Sequence, residues 1–160
     1  MKKFFGVFFV VALLAGNAFA SDVRISYSAW VKVREVHAIY EEYHGRKWGG
    51  MTKAGTDEFM KHEMFPFIYG LAKKQNPTSL RRWLKVSDLI LLPADIAEPF
   101  AAFGDFREVL IPYEAWVQLR EVHALYVECS GRTWGGVSGD STDMFLRTRL
   151  LSFVDLLVKR

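Results

Sequence analysis

Between Ala29 and His44 the chain places Ala29, Trp30, Val33, Val36, His37, Tyr40 and Tyr43 on one side of a helical wheel. That broad apolar stripe predicts a helix lying on a core. Ser28 stands where an N-cap is needed, and Gly45 suits the far end, because a left-handed residue costs glycine little. A second helical pattern opens at Thr56 and Asp57 and carries Phe59, Met60, Met64, Phe67, Ile68 and Leu71 at helical spacing. Thr56 reads as its cap and Asp57 as the acid that a helix dipole favours. This helix is expected to run to about Lys74, with a kink at Pro66.

The same pattern then returns. Ile111 to Arg160 repeats Ile25 to Lys74 at an offset of 86 residues with no gap, and 23 of the 50 aligned positions are identical. Apolar positions drift between the copies, as Val33/Leu119, Ile39/Leu125 and Met64/Leu150 do. A helix pair of this size cannot bury its apolar face alone. The two copies are therefore expected to pack on each other about a pseudo-two-fold axis. The fold class is all-α, an internally duplicated helical hairpin, with two very short strands as its only extended elements. Those would be DVRISY (22–27) and EVLIPY (108–113), which can pair with each other; Pro112 keeps the second out of a central position. Between the copies, Leu80 to Leu92 reads as a third helix capped by Ser79 and stopped by Pro93, followed by an irregular or short-helix connection from Ala94 to Phe106. No third helix is expected in the second copy.

The first twenty residues follow a different logic. Lys2 and Lys3 give a basic start, Phe4 to Ala15 is apolar apart from Gly6, and Ala18-Phe19-Ala20 places small residues before a cut. This is the pattern of a secretory signal peptide, too short to span a bilayer comfortably. No Cys follows the run, so a lipid anchor is not expected. The organisation is thus a signal peptide at 1–20 and one helical domain at 21–160, made of repeat 1 (25–74), a connecting helix and loop (75–110) and repeat 2 (111–160). The expected location is periplasmic or secreted, with no stable membrane span after cleavage.

Charge and cysteine content narrow the classes. Without Lys2 and Lys3, 19 basic residues face 18 acidic ones. That balance lacks the basic stripe a nucleic acid requires. Cys129 is the one cysteine, so no internal disulfide is available and the core must carry stability. It reads as a small buried hydrophobe; the alternative is a thiol joining two chains in a homodimer.

Polar residues kept in both copies are the candidates for function: Arg34/Arg120, Glu35/Glu121, His37/His123, Glu42/Glu128, Arg46/Arg132, Thr56/Thr142 and Asp57/Asp143. Glu42 and Arg46 are spaced as a favourable surface ion pair. Arg34, His37 and Glu41 share one border of the apolar face, where a histidine can act as acid, base or anion binder. Val31, Glu35, Ala38 and Glu42 lie on the side away from the core and form either a packing surface between copies or a docking face. The sharpest motif is G-R-x-W-G-G: Arg46, Trp48, Gly49 and Gly50 in one copy, Arg132, Trp134, Gly135 and Gly136 in the other. A guanidinium can stack on an indole, and paired glycines let a ligand approach the backbone. The same Trp can equally plug its own helix pair.

No catalytic residue, cofactor or metal ligand set is assigned. His37, Glu41, His44 and His62 could be gathered on paper, but the second copy keeps only His123. H-E-x-x-H, G-x-S-x-G and a phosphate-binding glycine loop are absent from the sequence. These features point to an exported periplasmic, non-catalytic interaction protein of the inhibitor, immunity or secretion/conjugation accessory type, binding a protein or an envelope component. Its candidate binding residues are the two loop motifs with Arg34, His37, Arg120 and His123. The alternative is an enzyme on envelope polymers that uses Glu35 or Glu121 with His37 or His123. The signal reading is checked by amino-terminal sequencing of the exported protein, which is expected to begin at Ser21; a chain retaining residues 1–20 would contradict it.

Overall fold

The computed structural model describes residues 21–46, 51–86, 107–131 and 139–159. The expected signal peptide, both G-R-x-W-G-G loops beyond Arg46 and Gly131, and the connection at 87–106 lie outside those residues. What is described is mostly helical, with one small sheet. Strand β1 (Val23–Ser26) pairs antiparallel with β2 (Glu108–Ile111) in the register Val23↔Ile111, Arg24↔Leu110, Ile25↔Val109 and Ser26↔Glu108. The two short strands therefore do pair. Pro112, which has no N–H to give a sheet, follows β2 directly and starts the next helix.

Each strand leads into a 17-residue helix, α1 (Tyr27–Tyr43) after β1 and α5 (Tyr113–Cys129) after β2. The cap of α1 is Ser26, not Ser28: its hydroxyl accepts from the Ala29 N–H at 3.2 Å. The helix begins earlier than periodicity alone indicates because the Tyr27 N–H is given to the Arg107 carbonyl at 2.9 Å, which ends the strand there. Gly45 (φ 68°) and Gly131 (φ 73°) close α1 and α5 in the left-handed region, as expected. At α1 the closure has both bonds of a Schellman motif, Gly45 N–H to the Glu42 carbonyl and Arg46 N–H to the Glu41 carbonyl, each 2.9 Å.

The second helical pattern is two helices in each half. The first half has α2 (Lys53–His62) and α3 (Met64–Lys73), broken at Glu63; the second has α6 (Gly139–Thr148) and α7 (Leu150–Val158), broken at Arg149. Pro66 does not cause the break, because the second half breaks at the same place with Ser152 in the proline's position. Pro66 sits in the first turn of α3, where a missing N–H costs little. The cap of α2 is Thr52, which accepts from the Gly55 N–H at 3.1 Å. Thr56 lies a turn further in and is fully buried. The remaining helix, α4, covers 77–86 among the described residues. Asn76 caps it, accepting from Thr78 and Ser79 N–H groups at 3.0 and 3.1 Å, and Pro77 takes the first helical position. Ser79 is thus inside the helix, not its cap.

The core joins the two halves. Val33 and Val36 of α1, Leu119 and Val122 of α5, Met60, Met64 and Ile68 of α2 and α3, and Leu146, Leu150 and Leu157 of α6 and α7 are essentially inaccessible. Helix α1 packs on α6 and α7, α5 packs on α2 and α3, and α3 meets α7. Each long helix therefore lies on the short helices of the opposite half. Asp143 of α6 fastens one side of this exchange: it accepts from the Ser26 backbone N–H and from the Ser26 hydroxyl, both at 2.9 Å, and pairs with Arg147 at 3.1 Å. On the other side the counterpart of Ser26 is Pro112, which offers neither donor. Asp57 holds Lys53 at 2.7 Å through one oxygen, and its other oxygen is buried without a partner among the described residues. Removing the two carboxylates should therefore have unequal effects. Asp143→Ala is expected to cost about 1–3 kcal/mol because it strands two donors of Ser26. Asp57→Ala should cost under about 1 kcal/mol, losing only a Lys53 pair. Urea unfolding of the two variants measures the difference, and equal costs would refute it.

Candidate functional site

The polar residues common to both halves are gathered by the fold into two equivalent clusters. His37 is buried on α1, and its Nδ1 shares a 3.3 Å hydrogen bond with the Thr56 hydroxyl of α2. Its ring stacks on Phe59 with centroids 4.4 Å apart and planes 7° from parallel. Tyr40, one turn on, packs against Phe59 and edge-on against Phe67. In the second half His123 meets Thr142 at 3.2 Å and stacks on Phe145 at 4.6 Å and 7°, and Tyr126 packs against Phe145 and Phe153. His, Thr, Tyr and both phenylalanines are among the identical positions, and their mutual contacts account for that identity. A buried polar group requires a partner, and here histidine and threonine satisfy each other. The sequence reading of Thr56 and Thr142 as helix starts is corrected accordingly.

The two clusters differ at their outer edge. Nε2 of His37 lies 3.5 Å from Glu41, which also meets Arg46 at 3.5 Å. Arg46 therefore pairs with Glu41 and not with Glu42, because the chain leaves the helix at Gly45 and Arg46 no longer occupies a helical position. The second half has Val127 where Glu41 stands. Burial pushes both histidines below the ordinary range. For His37 the neighbouring Glu41 carboxylate works against that shift and Arg34 adds to it; for His123, Arg120 adds to it.

Arg34 holds the exit of the first loop. Its guanidinium donates to the Met51 carbonyl at 2.9 Å and lies 4.8 Å from the centre of the Trp30 ring. Arg120 is exposed. Trp48, Gly49, Gly50, Arg132, Trp134, Gly135 and Gly136 lie outside the described residues. The Val31, Glu35, Ala38 and Glu42 side of α1 is less open than expected: Ala38 is buried, Val31 and Glu35 are half-buried, Glu35 pairs with Lys32 at 3.3 Å, and Glu42 alone is exposed. The reason is that α1 is covered by its own α2 and by both short helices of the opposite half. Glu35 and His37, paired in the enzymatic alternative, stand on different sides of the helix, as residues two apart must.

Among the described residues no group of three or more His, Cys, Asp or Glu side chains gathers to hold a metal. His44 turns to the Tyr40 carbonyl at 2.8 Å and His62 to Glu58 at 3.4 Å. Among the described residues, no helix is long and apolar enough to cross a membrane. The described residues line open grooves, of which two bear on the site. One, of about 560 Å³, runs along β1 and α6 past Arg24, Ser26, Trp116, Asp143 and Arg147. The other, of about 400 Å³, lies where α4 crosses α3 and α5 and includes Tyr69, Lys73, Arg81, Leu125, Glu128 and Cys129. Burial, and then Glu128, pushes the Cys129 thiol up, away from the reactive thiolate. Sequence reasoning missed both grooves and the Arg34–Met51 contact. The one available signal was that Arg34 and Arg120 are identical.

The buried histidines make stability depend on pH. Their unfolded value is near 6.5 and their folded values lie lower, so the folded chain binds fewer protons. The stabilisation is complete above about pH 6.5 and is lost as the pH falls below it toward the folded values. Urea unfolding should show a lower midpoint at pH 5 than at pH 7.5. A His37→Gln/His123→Gln variant should be less stable at pH 7.5 yet lose less on acidification; an equal loss would assign the effect to other groups. The chain matches no family model, no curated protein and no solved structure.

Proposed function

We propose that the protein works outside the cytoplasm as a non-catalytic interaction protein, after removal of residues 1–20, and binds a protein or an envelope component through its two R-x-W-G-G loops. In this reading residues 21–160 fold as one unit of two duplicated halves about a pseudo-two-fold axis. The strand register supports the axis: under the 86-residue offset Val23↔Ile111 exchanges with Ile25↔Val109, and Arg24↔Leu110 maps onto itself. Two equivalent loops suit a symmetric or bivalent partner, for which linked contacts multiply affinity.

One observation carries the reading. The polar residues identical in both halves and lying within the helices are largely consumed by contacts inside the fold, His37 by Thr56 and His123 by Thr142. Arg46 meets Glu41 and the Tyr40 ring; the identity still to be accounted for is that of Trp48-Gly49-Gly50 and Arg132-x-Trp134-Gly135-Gly136, which lie outside the described residues. Arg34 supports it further, since its bond to Met51 anchors the chain just after the first loop. An indole and a guanidinium in sequence with glycines, which carry no side chain, are residue types suited to recognition.

The test is capture of partners from envelope extract by the intact protein and by a Trp48→Ala/Trp134→Ala variant, with circular dichroism on both. The expected outcome is at least tenfold weaker capture at unchanged helix content. An unfolded variant would make the indoles part of the core, and undiminished capture would place recognition elsewhere; either removes the proposal.

A further inference from the structure

The strand register says which backbone groups β1 turns toward the larger groove. Tyr27 donates its N–H to the Arg107 carbonyl at 2.9 Å, in line with the pairs Ile25↔Val109 and Val23↔Ile111. In an antiparallel ladder such pairs exchange main-chain bonds, and the residues between them point theirs outward. Arg24 and Ser26 therefore turn their N–H and C=O groups away from β2. Ser26 shows this directly, since its N–H reaches Asp143 of α6 at 2.9 Å. Arg24 has the same outward aspect, and its N–H and carbonyl take no hydrogen bond among the described residues. The groove of about 560 Å³ lies along this edge, lined by β1 together with Trp116 of α5 and Met144 and Arg147 of α6. Trp116 is half-buried and Met144 exposed, so the groove offers apolar surface beside the unpaired backbone groups.

Backbone chemistry and charge together say what fits. A donor and an acceptor presented by one strand residue are matched by the main chain of another extended segment, whereas a helix has spent its backbone groups on itself. The groove carries the guanidiniums of Arg24, Arg107 and Arg147 against the carboxylates of Glu108 and Asp143. Both carboxylates are engaged within the fold, Glu108 with Arg24 at 3.3 Å and Asp143 with Ser26 and Arg147. The balance of charge is positive and favours an acidic occupant. We propose that the outer edge of β1 is a docking site for an extended, acidic segment of a partner protein, which adds to the sheet as a third strand. Its main chain would bond the Arg24 N–H and carbonyl, its apolar side chains would rest on Trp116 and Met144, and its carboxylates would face Arg24 and Arg147. In strand addition the main-chain bonds give affinity and the alternating side chains give specificity. This surface is distinct from the two loops, and the inference stands whether or not they bind.

The probe is an end-blocked peptide of alternating glutamate and valine, titrated into the isotope-labelled intact protein and followed by amide chemical shift and hydrogen exchange at Arg24. Saturable shifts centred on β1 are expected, with exchange of the Arg24 N–H slowed at least tenfold at saturation. Arg24→Pro removes that donor without touching the β1–β2 ladder, because the N–H faces away from β2, and should abolish binding. Arg24→Val keeps the donor and loses the charge; it should bind at least threefold more weakly with the same protection at saturation. Leu110→Pro, which makes the equivalent change on the outer edge of β2, should leave binding unchanged. Should Arg24→Pro unfold, the peptide answers instead: methylating the backbone nitrogens of every valine, or of every glutamate, gives two probes, of which only one should bind. The proposal is overturned by absence of saturable binding, by undiminished binding to folded Arg24→Pro, by equal binding of both methylated probes, or by equal binding of a lysine-for-glutamate peptide. It is also overturned if the Arg24 N–H is already protected without peptide: at all protein concentrations this would assign the edge to the chain itself, and only at high concentration to a second copy.

Discussion

A 17-residue amphipathic helix needs an apolar surface that the hairpin containing it is too small to provide. The rest of this structure follows from how that need is met. Helix α1 takes the surface made by α6 and α7, and α5 takes the one made by α2 and α3. Neither half completes its core without the other, so the buried valines and leucines of both long helices belong to one continuous cluster. The strands β1 and β2 are a consequence: the segments leading into the two long helices are brought side by side, and their backbone groups then pair. The break between the short helices belongs to the same arrangement, since it occurs in both halves whether or not a proline is nearby.

The polar residues inside this cluster are arranged to avoid orphaned groups. A histidine and a threonine, one on each helix of a hairpin, satisfy one another while the imidazole lies flat on a phenylalanine. Such a pair fixes how the hairpin closes more sharply than apolar contacts alone, because an alternative closure would leave both groups buried and unmatched. The same arrangement introduces acid sensitivity, as a buried imidazole resists the charge it would acquire.

Departures from equivalence between the halves are as informative as the likeness. Ser26 gives Asp143 two hydrogen bonds, whereas Pro112 leaves an oxygen of Asp57 without one. Glu41 lies beside one histidine and Val127 replaces it beside the other. Each departure is local, and each spares the reciprocal packing on which stability depends.

Much of this was legible in the sequence by itself. Apolar residues at helical spacing located the long helices, and glycines at 45 and 131 marked their ends. Those signals are local, set by backbone preference and by which side of a helix is apolar. The caps were misplaced by two to four residues, because Ser26 and Thr52 compete with other cap-forming residues nearby and only the neighbouring strand or loop decides between them. Tertiary structure alone determined that Thr56 and Thr142 serve histidines, that Arg46 turns to Glu41, that Arg34 grips Met51, and that each long helix lies on the opposite half. Those are choices of partner between segments far apart in the chain, and periodicity records which residues must be buried without recording what buries them.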